Sequence, residues 1–218
     1  GAGESNALGV TIQLPFESSE GAALVDDKYV SSMKYFFTRK LMLCKESHAF
    51  VCMPGGFGTQ DETFEQLTLM QTGKASITPL VLLDSVSGTY WSSWFDWCRD
   101  HLVSAGLIDK HDLSLLYVAN TPADAVAHVM QFYRNYNSTR WAGGRLVIRL
   151  AKGPSTEQLQ ELNAKFGHIC TSGSIEECGP SRAELYDQEL LDLPRISLAF
   201  NKKSNGELRE LIDHINLW

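Results

Sequence analysis

Glu62 follows three glycines in the run Pro54-Gly55-Gly56-Phe57-Gly58-Thr59-Gln60-Asp61-Glu62, and that spacing is the chemistry-bearing feature of the sequence. A loop almost without side chains lets backbone N–H groups approach an anion closely, and the helix that must follow adds unpaired N–H groups and the positive end of its dipole. Phosphate is the anion such a junction suits. Gly55, Gly56, Gly58 and Thr59 are expected to hold it, and the carboxylate of Glu62, one turn into the helix, then lies beside whatever the phosphate carries. Upstream, Arg39-Lys40 can add positive charge to the same pocket.

The motif R-K-x-x-M at Arg39 to Leu43, with Leu43 in the place of Met, and the motif P-G-G-x-G-T-x-x-E at Pro54 to Glu62 resemble those of the LOG (Lonely guy) family of nucleotide phosphoribohydrolases. Leu14-Pro15-Phe16-Glu17, Tyr35-Phe36-Phe37-Thr38-Arg39-Lys40 and Leu67-Thr68-Leu69-Met70-Gln71-Thr72-Gly73-Lys74 are similar to the longer bacterial branch. The resemblance implies a Rossmann-like fold and a nucleoside 5′-monophosphate substrate, AMP or N6-substituted AMP. It implies hydrolysis of the bond between base and ribose, with Arg39 and Glu62 catalytic, and a homodimer that builds its site across the interface. Family members open with a strand, a helix and a turn of the G-G-G-P-G-I-M type that this sequence lacks, so the chain is expected to begin within the domain, without its first strand-helix unit. The alternative is a non-catalytic nucleotide-binding regulatory module with an incomplete site.

Other readings of the same residues are weaker. Thr59-Gln60-Asp61-Glu62 has the form of a capping box, but such a box does not require preceding glycines. Asp61 lies about 100° around the helix from Glu62, so the two carboxylates diverge and a paired-carboxylate glycosidase is not expected. A single carboxylate remains, suited to stabilising positive charge at ribose C1′ or to orienting water towards it. Arg39 brings a permanent charge on a planar fork, which lysine would not replace. Gly56-Phe57-Gly58 begins a G-x-G, yet Asp61 occupies the third glycine's place in a dinucleotide fingerprint, which argues against NAD. No lysine has the desolvated setting of a pyridoxal phosphate Schiff base, as a lysine decarboxylase would need. His168-Ile169-Cys170 with Cys178 lacks the companions of a four-ligand metal site. Trp91, Trp94, Phe95 and Trp97, at helical spacing, read as packing. Neither cofactor nor metal is expected.

The elements that must position these residues alternate between strand and helix, the pattern of an α/β fold with a parallel sheet covered on both faces. Strands are expected at Val10–Leu14, Ala49–Met53, Pro79–Leu83 and Leu115–Ala119. Helices are expected at Asp26–Lys45, with Met33, Phe36, Phe37, Leu41 and Cys44 on the sheet, at Thr59–Thr72, with Phe64, Leu67 and Met70 inward, and at Tyr90–Ala105 and Pro122–Tyr136. The polar stretch Asn135–Gly144 reads as a boundary between a nucleotide-binding domain at 1–138 and a small C-terminal α+β unit at 145–218. The latter's expected order is a strand at Leu146–Leu150, a helix at Ser155–Phe166, strands at Ile169–Ile175 and Ile196–Phe200 and a helix at Asn205–Ile215, close to a ferredoxin-like fold without its last strand.

With 218 residues, 44% of them hydrophobic, the chain can bury one good core or a larger and a smaller one. A net charge of −7 and a pI near 5.4 oppose a protein that coats a nucleic acid polymer. A small nucleotide held by local dipoles needs no global positive charge. No run approaches the ~20 apolar residues of a membrane span, and no secretory signal opens the chain, so no membrane partner and a cytoplasmic location are expected. Cys44, Cys52, Cys98, Cys170 and Cys178 form no C-x-x-C pair and read as reduced thiols.

Overall fold

A computed structural model describes residues 8–12 and 29–218. The chain divides into two compact units, the first ending at His48 and the second beginning at Ala49.

In the first unit, strands β1 (Gly9–Ile12) and β2 (Val30–Met33) pair in parallel, with Gly9 opposite Val30. Helix α1 spans Phe36–Lys45. The expected long helix is therefore corrected: the Val30-Ser31-Ser32-Met33 segment, with a β-branched residue and two serines, is extended rather than helical. The apolar stripe is corrected too. Phe36, Phe37 and Leu41 are exposed, while Thr38, Arg39, Lys40, Leu43 and Cys44 are half-buried. The ends of the expected strand and helix at 13–14 and 26–28 lie outside the described residues.

In the second unit, β3 (Phe50–Cys52), β4 (Leu80–Leu83) and β5 (Tyr117–Ala119) form a parallel sheet in the order β3-β4-β5, with Phe50 opposite Leu80 and Val81 opposite Tyr117. Every residue of β4 is buried, as a central strand with both faces covered requires. The crossovers carry α2 (Phe57–Gln71) and α3 (Tyr90–Trp97), and α4 (Pro122–Phe132) follows β5. Helix α2 buries Thr63, Gln66 and Met70, whereas Phe64 is exposed at 37% and packs its ring on Trp94. Met70 is inward as expected and Leu67 is partly buried against the core, but Thr63 and Gln66 share that face, so the inward stripe is partly polar. Trp91 is fully buried, and Trp97 is exposed. Helix α4 starts with Pro122 after a Thr121 cap and stops at Phe132. Beyond it, the buried Asn216 side chain accepts bonds from the backbone N–H groups of Asn135 and Tyr136, which stand where helix continuation was expected.

The stretch read as a polar boundary is a strand, β6 (Tyr136–Ala142), joined to β7 (Arg145–Leu150) through Gly143-Gly144. Both glycines have positive φ, 57° and 82°, the requirement of a two-residue hairpin turn. An antiparallel sheet follows in the order β6-β7-β9-β8, with β8 at Glu176–Glu177 and β9 at Arg195–Leu198. Helices α5 (Thr156–Phe166), α6 (Arg182–Asp187) and α7 (Asn205–Ile215) accompany it. The strand expected at Ile169–Ile175 is instead a short helical turn and a loop. Asn163 on α5 bonds both the N–H and the C=O of Ile175, each at 2.8 Å, and so takes the place of a neighbouring strand.

One continuous apolar cluster joins the two sheets of this unit. It runs from Met70, Leu82 and Trp91 through Leu115 to Ile148, Leu150, Leu211 and Ile215. Helix α7 locks against the helical turn at Lys110–Leu115, where a Cβ added to Gly206 would lie 2.2 Å from the His111 carbonyl oxygen. Asn205 donates to the Gln71 carbonyl at the end of α2.

Candidate functional site

The glycine run leaves β3 at its C-terminal end, the edge of a parallel sheet at which α/β proteins bind ligands. Helix α2 begins at Phe57, with Gly56 as its N-cap. Glycine offers no side-chain acceptor, so nothing at the N-cap position covers the first amides of the helix. The first helical bond between main-chain groups is donated by Gln60 to the Gly56 carbonyl at 3.2 Å. Pro54 through Gly58 are exposed. A Cβ built on Gly56 or Gly58 meets nothing within 4 Å, whereas one on Gly55 would come within 2.3 Å of the Thr59 hydroxyl.

This start two residues earlier removes the capping-box reading. Thr59 lies inside the first turn and Glu62 in the second, so neither occupies the box positions. Glu62 is half-buried, its neighbour Thr63 is fully buried, and the Thr63 hydroxyl bonds back to the Thr59 carbonyl at 2.8 Å. The Cys52 thiol at the end of β3 is pushed up by burial, drawn partly back by a bond with Thr63, and raised further by the negative charge of Glu62. The Glu62 carboxylate is therefore close enough to the end of β3 for its charge to be felt there.

Sequence reasoning missed the groups that hold the loop. Tyr90, at the start of α3, donates its hydroxyl to the Gly55 carbonyl at 2.6 Å and accepts from the Gln60 amide at 2.5 Å. Asp84, buried at the end of β4, accepts the backbone N–H groups of Ser85 and Trp91 and so fixes where α3 starts. Nothing local to Tyr90 marks it. Only the rule that crossovers after parallel strands gather at one edge would have brought the loop after β4 to the loop after β3.

Arg39 and Lys40 lie on α1 in the first unit, both half-buried. The Arg39 Nε donates to the Val10 carbonyl of β1 at 3.2 Å, which fixes the root of the guanidinium against the strand. His168 contacts Glu207, rather than the cysteines near it in sequence. Cys52, Cys98, Cys170 and Cys178 are thiols outside any disulfide. Among the described residues, no helix is long and apolar enough to cross a membrane.

Parallel strands, helical crossovers and a glycine-rich turn into α2 define a Rossmann-like α/β protein, here with an added antiparallel sheet. The family described as "Possible lysine decarboxylase" matches residues 2–129, and the chain belongs to it, which is the LOG family that its motifs resemble. Over 60 residues the chain is 40% identical to a probable cytokinin riboside 5′-monophosphate phosphoribohydrolase, LOGL1, of Oryza sativa subsp. japonica. That match takes in 28% of this chain and 25% of the relative, so the chain spans about a quarter of the length of the curated relative it matches.

Proposed function

We propose that this protein hydrolyses the N-glycosidic bond of a nucleoside 5′-monophosphate, AMP or an N6-substituted AMP, to free base and ribose 5-phosphate. The observation that carries the reading is the start of α2: an exposed glycine N-cap without a side-chain acceptor, with a half-buried carboxylate in the next turn at the end of β3. The amides of Phe57, Gly58 and Thr59 bind the phosphate. Five residues after Phe57, about 7.5 Å along the axis, Glu62 faces the ribose. As the bond from C1′ to the base nitrogen breaks, its electrons leave with the base, and Glu62 stabilises the positive charge at C1′ and orients the attacking water. Water supplies the new hydroxyl on C1′, and its proton balances the departing base.

Arg39 and Lys40 enter this reading on their motif; Arg39 holds the substrate or steadies the leaving base. The homodimer that the family resemblance implies is part of the proposal. Decarboxylation of lysine is not, because none of the described lysines is buried and Lys40 alone among them is half-buried, so none has the desolvation that activates a Schiff-base amine.

The test follows release of base from AMP and from N6-isopentenyl-AMP by chromatography. Release is expected from the parent protein, with Glu62→Gln lowering it by about 100-fold or more at an unchanged melting temperature. Arg39→Ala is expected to lower it as well. Undiminished release in Glu62→Gln removes that residue from the chemistry. If no base forms while AMP still raises the melting temperature, the protein is a nucleotide-binding module and not a hydrolase.

A further inference from the structure

At the opposite end of α2 from the glycine loop lies a cavity of about 530 Å³, well within the range of small-molecule sites. Its wall is made by the turn after α2, by β6 and by the segment leading into α7. No carboxylate lines it, although the chain carries a net charge of −7, whereas Lys74, Arg140 and Lys202 do. Arg140 is committed to Asp187 and Glu189. Lys74 and Lys202 form no ion pair among the described residues, which leaves two ammonium groups facing one cavity without counter-charge.

The electrostatics of the surrounding backbone do not oppose an anion. The C-terminal end of a helix repels negative charge through its unpaired carbonyls. Here those carbonyls are occupied: Leu69 accepts from Lys74 and Ala75, Met70 from Gly73, and Gln71 from the Asn205 side chain. The first turn of α7, which carries the positive end of its own dipole, lines the cavity at Asn205.

An aromatic wall accompanies the charge. Trp141 is 45% exposed, and the Lys202 ammonium lies over its ring at 4.9 Å from the centroid. Lys202 is held in a left-handed backbone conformation, φ 63°, by a turn in which the Asn201 side chain accepts from the backbone of Lys203 and Ser204. Such strain in a non-glycine residue needs a surrounding structure that enforces it, and it gathers at binding sites. The ammonium stands where a flat ring would stack, and an exposed cation–π contact is weak enough for a stacked base to displace. The displaced ammonium then becomes available to a phosphate.

We propose that this cavity is a second ligand site, separate from the glycine loop, for a small phosphorylated molecule with an aromatic ring, the ring on Trp141 and the phosphate between Lys74 and Lys202. It stands independently of the hydrolase reading. The probe is formycin 5′-monophosphate, an AMP isostere whose base is joined to ribose by a carbon–carbon bond and so cannot be released by glycoside hydrolysis. Calorimetric titration of the full chain is expected to lose one equivalent of bound probe in the Lys74→Ala/Lys202→Ala double variant, with release of base from AMP unchanged. Trp141→Ala is expected to weaken that equivalent by about tenfold or more. Inorganic phosphate is expected to bind there far more weakly than the probe. Identical stoichiometry and affinity in the parent and the double variant would overturn the site, and phosphate binding as tightly as the probe would overturn the role of the ring. Because all three side chains are exposed, the variants are expected to melt like the parent.

Discussion

At Gly56 and Gly58 the demands of folding and of binding separate. Neither position has a neighbour that a Cβ would strike, and Gly58 lies in the first turn of a helix, where alanine is the better residue. Gly58→Ala is therefore expected to stabilise the protein by about 0.5–1 kcal/mol. The same methyl group projects where a phosphate would meet the amides, so nucleotide binding and base release are expected to fall. Thermal melts with and without AMP check both halves of this statement. A variant that is stabilised yet binds AMP as before would mean that the loop does not hold the phosphate. The placement of Glu62 on α2 just beyond the glycines was legible in the sequence because that spacing is local. Tyr90 was not, because its bond to the Gly55 carbonyl crosses 35 positions of chain.

Helix α6 is fixed to the antiparallel sheet by charge rather than by apolar packing. Glu184, fully buried, caps the helix through Ser181 and faces the guanidinium groups of Arg149 and Arg195, which are partners across β7 and β9. Burial alone would raise its carboxyl, but the Ser181 backbone N–H and the two arginines outweigh burial and hold it down at about 2. A carboxyl lowered in the folded state adds stability above its ordinary value of 4.5, and this is lost as pH falls from there towards about 2. His128 acts at higher pH. Burial, reinforced by the charge of Arg209, holds its imidazole down at about 4, so the unfolded chain takes up a proton first as pH falls from 6.5. Melting temperature is expected to decline in these two windows, with His128→Gln removing the upper step. Glu184→Gln, which takes the carboxylate from buried Arg195 and leaves buried Arg149 with Glu189 alone, is expected to cost about 3 kcal/mol or more at neutral pH. A flat acid profile would contradict both assignments. These elements also mark where sequence patterns gave out. Strands β3, β4 and β5 and helix α7 follow from apolar patterns, but β2, with two serines among its four residues, does not, β6 is a largely polar strand set by its partner β7, and α6 is set by buried charges that its own composition does not reveal.

Across residues 49–218 the parallel and antiparallel sheets share one apolar cluster, and α7 packs closely on the His111-Asp112 backbone at Gly206. A boundary drawn at the hairpin would cut through packed side chains. The backbone amides of Leu82 in β4 and Ile148 in β7 are therefore expected to exchange hydrogen with the same free energy of opening. Gly206→Ala, whose new methyl group meets main chain that cannot rotate away, is expected to lower both together by about 1–3 kcal/mol. Native-state hydrogen exchange on the full chain measures this directly. Protection of Leu82 surviving the loss of protection at Ile148 would separate the sheets into independent folding units.

The closeness of Gly55 to the Thr59 hydroxyl couples these two positions sterically. A Cβ at 55 would lie 2.3 Å from the Thr59 hydroxyl, so a side chain there forces Thr59 to move and is best accommodated together with a smaller residue four places on. In a library randomised at both codons, functional clones with a substituted residue 55 should carry glycine or alanine at 59. With threonine at 59, glycine is the residue that position 55 takes without displacing its neighbour.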